Sequence, residues 1–374
     1  MTFAAQTEDL ARLAAASRRR HLIPEAGIDF SSNDYLGLGR SGLLAEAARA
    51  ALDRGVPVGS GGSRLLRGNH AEHEALEAEA AAFFGSDSAI YFSTGYAANS
   101  ALLATLPQRG DIIIHDALVH ASAHEGMRLG RAQAVPARHN DPDDFARVLR
   151  DYRTGGGKGT PWIAIESLYS MDGDRAPIDA LLALADRHDA VLLIDEAHAT
   201  GVFGKAGRGL AGHVSSRANV VTLRTCGKAL GCEGALVCGS GPVKEYLVNR
   251  ARGFIFSTAP SPLMAAIART ALQLVEARDD LRDALRARVA HAEAALAPLG
   301  AGTSGSQIIP LVLGRDSRTM TVAARLQAAG YDVRGIRPPT VPRNTSRLRI
   351  SITLNATPAD INGLAATIAE AIAA

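Results

Sequence analysis

The stretch NVVTLRTCGKALGCEGALVCG, residues 219–239, places two apolar runs on either side of one lysine. NVVTLRT (219–225) and GALVCG (234–239) are short, rich in β-branched residues and nearly continuous in apolar character, as strands covered on both faces are. Lys228 stands between them with Gly227 and Gly231 close by, where backbones pack tightly. A long cationic side chain is a poor choice there unless chemistry requires it.

The same rhythm extends outward from about residue 68 to residue 240. NHAEHEALEAEAAAFFG (69–85) reads as a helix with Asn69 as its cap and Gly85 as its stop. SAIYF (88–92) is a strand, and AANSALLATL (97–106) a helix after a tight turn at Ser93 to Gly95. DIIIHD (111–116), TPWIAIES (160–167) and AVLLIDEAH (190–198) are further strands, with helices at 120–130, 142–150 and 178–187 between them. Strands alternating with helices predict an α/β fold with a mostly parallel sheet flanked by helices.

After Pro262 the pattern changes. Two long helices rich in alanine and arginine run to about residue 297. SQIIPLVLG (306–314), a helix at 317–329, YDVRGI (331–336), SRLRISI (346–352) and a last helix from Ala356 follow. The predicted organisation is an N-terminal segment (1–45) contacting both domains, a large α/β domain (46–265) and a smaller C-terminal α+β domain (266–374). RTGGGKGTP (153–161) reads as an exposed loop.

Composition narrows the class of partner. The 374 residues carry 40 basic against 38 acidic side chains, a net charge of +2, which provides no field for nucleic acid or an anionic membrane. A small molecule is the expected partner. The N-terminus lacks the apolar core of a signal peptide, and no stretch is apolar enough to span a bilayer. Cys226, Cys232 and Cys238, evenly spaced, fit neither a disulfide framework nor a tetrahedral zinc site. Reduced thiols and a cytoplasmic location are the reading, with no metal expected.

In open α/β sheets, ligands gather beyond the carboxyl ends of the strands. The polar residues there are Asp195 and His198 after AVLLI, Ser170 after WIAIE, Gly95 and Tyr96 after IYF, His120 after IIIH, and Thr225 and Lys228. A pyridine-type cofactor would use this set well. A lysine amine forms an imine with an aldehyde, a role arginine cannot fill. An aspartate beside the ring nitrogen keeps it protonated, so that the ring accepts electrons. A histidine stacks on the ring, Ser170 and His198 reach its phenolic oxygen, and the helix opening at Gly95 and Tyr96 binds a phosphate together with Thr225.

Each residue also has a plainer reading: a solvated lysine, a capping aspartate, a core histidine. Taken together on one sheet edge, those plain readings require a long run of coincidence. GSGGSRLLRG (59–68) lacks the strand-then-helix setting of a dinucleotide loop, and neither GGSRL nor FSTGY makes a nucleophile elbow.

These residues resemble the fold-type-I pyridoxal-phosphate enzymes and, within them, the α-oxoamine synthase family. The likeness covers almost the whole chain. It rests on SSNDYLGL (31–38), GSGGSRLLRGNHAEHEALE (59–77), SMDGDRAPI (170–178), DEAHATGVFGKAGRGL (195–210), TCGKALG (225–231), FSTAPSP (256–262) and IRPPTVPRNTSRLRI (336–350).

The resemblance implies pyridoxal 5'-phosphate as cofactor, with Lys228 as the Schiff-base lysine and Asp195 on the pyridinium nitrogen. It implies His120 on the ring face, His198 and Ser170 on the phenolic oxygen, and Gly95, Tyr96 and Thr225 on the phosphate. Ser257 and Thr258 would reach the phosphate of the neighbouring subunit, which implies a homodimer with shared active sites. Asn33 and Arg349 would bind the amino-acid carboxylate, the arginine through its planar fork. Arg18, Arg337 and Thr340 are candidates for the acyl or product end, and Glu166 for support behind the site.

IRPPTVP (336–342) is most similar to the branch of the family that joins L-alanine to a pimeloyl thioester in biotin synthesis; sister branches use glycine. Two departures stand out. The segment between RRRHLIP (18–24) and IDFSSNDYLGL (28–38) is short, and Cys226 and Cys232 flank the lysine without removing any group the chemistry needs.

Overall fold

Six of the apolar runs and one further strand pair into one sheet in the computed structural model, which describes residues 2–373. In chain order they are β1 (Ser88–Phe92), β2 (Ile112–Asp116), β3 (Gln133–Ala137), β4 (Pro161–Glu166), β5 (Val191–Asp195), β6 (Val220–Thr225) and β7 (Ala235–Gly239). In space the order is β1-β7-β6-β5-β4-β2-β3. The strands from β3 through β6 are parallel to their neighbours, whereas β7 runs antiparallel to both β6 and β1. Loop length explains the exception. The connection at 226–234, which carries Lys228, is too short for the crossover that a parallel pair needs.

Helices α1 (Gly42–Asp53), α2 (Ala71–Phe84), α3 (Gly95–Thr105), α4 (Ala121–Leu129), α5 (Pro142–Thr154), α6 (Ile178–Arg187), α7 (Gly241–Arg250) and α8 (Pro262–Ala277) surround this sheet. Alternation along the strands feeds two cores. Ile113 joins Leu102, Leu103, Leu193 and Val221 on one face, while Ile112 and Ile114 join Phe145, Leu149, Leu192 and Ile194 on the other. Burial on both faces is why these strands read as continuous apolar runs.

The chain divides into two compact units. The larger comprises Leu36–Tyr169 and Arg175–Arg282; the smaller comprises the chain up to Tyr35, Ser170–Asp174, and Asp283 onward. Helix α9 (Asp279–Leu296) begins in the larger and continues in the smaller. The smaller unit holds β8 (Ile308–Gly314), β9 (Arg334–Ile336) and β10 (Ser346–Ser351), antiparallel in the order β9-β10-β8, with α10 (Asp316–Ala328) and α11 (Pro358–Ala373). YDVRGI is split, since Tyr331–Asp332 pairs instead with Ile28–Asp29.

Other expectations change in detail. His70 rather than Asn69 caps α2: its Nδ1 accepts the Glu72 N–H at 3.1 Å, and His73 Nδ1 accepts the His70 N–H at 3.2 Å. The Asn69 side chain bonds Arg64 and Glu74 instead. Gly85 ends the helix at φ 73°, as its freedom allows. Strand β3 leaves no apolar run in the sequence because it is a mostly exposed edge strand containing Pro136. Helix α7 leaves no apolar stripe either, since Leu247 is its one buried residue.

A buried ion pair fixes the loop that leaves β5. Arg224 Nη1 lies 3.1 Å from Glu196 Oε2, both side chains fully buried. The guanidinium also donates to Ser215 Oγ (2.9 Å), Thr222 Oγ1 (3.2 Å) and the Arg208 carbonyl, and sits over the Phe84 ring. Glu196 Oε1 accepts the Ala211 N–H at 3.0 Å. Gly209, at φ 87°, lets the chain pass so close that a Cβ there would fall 1.6 Å from Glu196 Oε2.

Such a pair adds little net stability over an apolar substitute, but removing one partner strands the other charge. Arg224→Ala is therefore expected to lower unfolding free energy by about 3–5 kcal/mol, read by urea denaturation. A loss under about 1 kcal/mol would show that the pair does not hold the loop.

Candidate active site

In the larger unit Asp195, the last residue of β5, has a buried side chain. Its Oδ1 accepts the Ala197 N–H at 2.9 Å, and its Oδ2 accepts from Asn99 Nδ2 at 2.9 Å. Burial pushes the carboxyl's pKa up, and the charges of Lys228 and His120 pull against that rise. A cationic ring nitrogen beside this carboxylate would complete the compensation.

Lys228 extends from the loop after β6, and its Nζ lies 2.7 Å from His198 Nε2. His198 sits three residues beyond Asp195 on the loop that the Arg224–Glu196 pair anchors. His120 caps α4, its Nδ1 facing the Ser122 hydroxyl at 2.8 Å and the Ser122 N–H at 3.3 Å. Burial lowers the His120 pKa; Asp195 opposes the shift and the Lys228 cation adds to it. The lowered pKa favours the neutral imidazole, and the Ser122 N–H facing Nδ1 favours the tautomer with its proton on Nε2.

An anion cradle adjoins this group. Thr94 caps α3 by accepting the Ala97 N–H at 3.0 Å, and the first-turn N–H groups of Gly95 and Tyr96 have no acceptor within the helix. The helix end lies beside the end of β6: a Cβ on Gly95 would meet Thr225 Oγ1 at 3.5 Å, an ordinary contact. Thr225 Oγ1 itself accepts the Gly227 N–H at 3.2 Å. The Tyr96 phenol donates to Glu125, and its ring stands edge-on to His120 with centroids 6.3 Å apart. Helix N–H groups beside a hydroxyl suit a phosphate. An amine, a buried carboxylate, an imidazole and this cradle together fit pyridoxal phosphate. Ser257 and Thr258 are exposed beyond Phe256.

In the smaller unit Arg349, on β10, is buried and gathers its neighbours. Its Nε donates to the Ser170 carbonyl (2.6 Å), Nη1 to Ser351 Oγ (2.7 Å), and Nη2 to Asn33 Oδ1 (3.0 Å) and the Tyr35 hydroxyl (3.4 Å). The Tyr35 phenol donates to the same Asn33 oxygen at 2.9 Å. Asn33 and Arg349, named together from sequence, thus meet here, and Ser170 joins them through its main chain.

The acyl-end candidates are engaged separately. Arg18 Nε bonds Asp316 Oδ2 at 2.7 Å. Arg337, buried and lowered in pKa by that burial and by Arg20, donates to the Arg19 carbonyl at 2.9 Å. Thr340 is exposed. Sequence reading did not single out Asn99, Ser122 or Tyr35. Asn99 did leave a trace, as an amide among alanines and leucines in AANSALLATL.

The aminotransferase class I and II family model matches residues 25–368. An 8-amino-7-oxononanoate synthase of Geobacter sulfurreducens is 41% identical over 368 residues, covering 96% of this chain and 93% of its own. One of Chromobacterium violaceum is 42% identical over 327 residues, covering 87% and 84%. A solved serine palmitoyltransferase of S. paucimobilis, with PLP and myriocin bound, superposes with a TM-score of 0.90 at 27% identity, covering 99% of this chain and 97% of that one.

In the cofactor-free protein, His120 is expected to titrate below the ordinary imidazole value near 6.5. Lys228→Ala should raise that midpoint, because a repelling cation is lost, and Asp195→Asn should lower it. NMR of ¹⁵N-labelled imidazoles reads both, and midpoints unmoved in either variant would mean that the three groups do not share a field.

Proposed function

The chain belongs to the 8-amino-7-oxononanoate synthases of the class I and II aminotransferase family, and we propose that it condenses L-alanine with a pimeloyl thioester to 8-amino-7-oxononanoate in biotin synthesis. Like them it is a pyridoxal-phosphate-dependent acyltransferase. The observation that carries the reading is the Lys228 amine at 2.7 Å from His198, on the strand-end edge that also holds the buried Asp195.

Pyridoxal phosphate, when bound, supplies an aldehyde that joins amines and a ring that takes up the electron pair freed at the α-carbon. Lys228 Nζ holds the cofactor, removes the α-proton as general base and later returns a proton to the same carbon. His198 orients that amine and, with Ser170, holds the phenolic oxygen. Asp195 keeps a proton on the ring nitrogen. Gly95, Tyr96 and Thr225 bind the phosphate. His120 covers the ring face, and its Nε2–H is the donor for the acyl carbonyl oxygen.

Asn33 and Arg349 bind the amino-acid carboxylate, with Arg18, Arg337 and Thr340 toward the acyl or product end. In bonds, the alanine α-carbon joins the thioester carbonyl carbon, the C–S bond breaks and the thiol leaves with a proton. The carboxyl group then departs as carbon dioxide, and a proton takes its place. We place the enzyme in the cytoplasm as a homodimer, Ser257 and Thr258 completing the partner's phosphate site.

The test is thiol release and product mass from holoenzyme given pimeloyl-CoA with L-alanine or with glycine. L-Alanine should release thiol with a product of the matching mass. Release with glycine alone would make the chain a sister synthase, and amino-group exchange without thiol release would make it an aminotransferase. Lys228→Ala should cut turnover by about a thousandfold or more, and normal turnover in that variant would end the scheme.

A further inference from the structure

Asn99 lies one helical turn after Gly95 in α3, 2% exposed, among residues that are otherwise small or apolar. Its Nδ2 donates twice, to Asp195 Oδ2 at 2.9 Å and to Ser122 Oγ at 3.1 Å. An ionised carboxylate only accepts, so the amide nitrogen, not its oxygen, must face Asp195.

The orientation propagates. Ser122 Oγ accepts a hydrogen bond from Asn99 Nδ2 and has its own O–H to donate, and His120 Nδ1 stands 2.8 Å away. The Ser122 main-chain N–H points at the same ring nitrogen from 3.3 Å. Were Nδ1 protonated, N–H would face N–H, and the serine proton would need another acceptor. Meanwhile Asn99 Oδ1 is buried without a hydrogen-bond partner among the described residues, beside a small cavity that Asn99, His120, Glu166 and Asp195 help to line. An orphaned buried acceptor costs stability, which an apolar residue of similar size would avoid. The amide therefore has a reason other than packing.

We propose that Asn99 is a positioning residue that ties the Asp195 carboxylate to the His120 imidazole through Ser122, setting the carboxylate's orientation and the Nε2–H tautomer together. The proposal rests on the roles given above to Asp195 and His120. It assigns Ser122 to the imidazole branch alone and Asn99 to both branches.

Two variants separate the branches. In cofactor-free protein, ¹⁵N NMR should show His120 as the Nε2–H tautomer, and both Ser122→Ala and Asn99→Leu should convert it to a mixture. In holoenzyme, Asn99→Leu should shift the pH midpoint of the bound cofactor's absorbance, while Ser122→Ala leaves it in place.

Asn99→Leu should also lower kcat about ten- to a hundredfold, as expected for losing a hydrogen bond to a charged group, with KM for the amino acid little changed. If both variants keep the Nε2–H tautomer and the wild-type absorbance titration, Asn99 merely packs, and the proposal falls. Should Asn99→Leu fail to fold, Ser122→Ala decides through the tautomer alone. A wild-type enzyme that releases no thiol would sink the proposed reaction yet leave the cofactor-free tautomer measurement able to judge the relay.

Discussion

A carboxylate sealed at the end of an inner parallel strand is the constraint from which the site follows. Charge at Asp195 is costly in so dry a place, and burial raises its pKa accordingly. The carboxylate's direct partners are neutral, the Ala197 N–H and the Asn99 amide, while Lys228 and His120 act through their charges. A carboxylate held this way suits pairing with a cationic ring nitrogen. The sheet order makes this arrangement available, because β4, β5 and β6 run parallel side by side. Their carboxyl ends bring Glu166, Asp195 and Thr225 to one edge.

Neighbouring residues divide the labour. Asp195 bonds Asn99 of α3, while Glu196 bonds Arg224 beside Phe84. One residue of the pair faces the candidate site, and the next anchors the loop on which His198 is carried. The short return from β6 to β7 places Lys228 with similar economy. A connection too short for a crossover both reverses the last strand and holds the amine near the sheet edge. Main-chain hydrogen bonds of Cys226, Gly231 and Cys232 close this turn.

Much of this was legible in the sequence because burial on both faces leaves continuous apolar runs, and chemistry leaves polar residues at their ends. Lys228, Asp195, His198 and His120 stood out for that reason. The Asn99–Ser122 relay did not, since polar residues inside a helix announce burial without naming a partner. The Arg349 cluster was half legible: Asn33 and the arginine could be named, but Tyr35 and Ser351 are visible only once β10 and the N-terminal segment are folded. The capping of α2 by His70 depends on a ring nitrogen that propensity ranks below the neighbouring asparagine. The grouping of Ser170–Asp174 with the C-terminal unit lay beyond any local pattern, because the chain leaves the larger unit and then returns.

The central claim is that the amine at position 228 carries the cofactor. The chain makes this unusually testable, since Lys158, Lys205 and Lys244 are its other lysines. Borohydride reduction of the holoenzyme, followed by proteolysis and mass mapping, should place a pyridoxyl group on the peptide containing TCGKALG, at Lys228. A pyridoxyl group found on another lysine, or on none while cofactor is bound, would contradict the account.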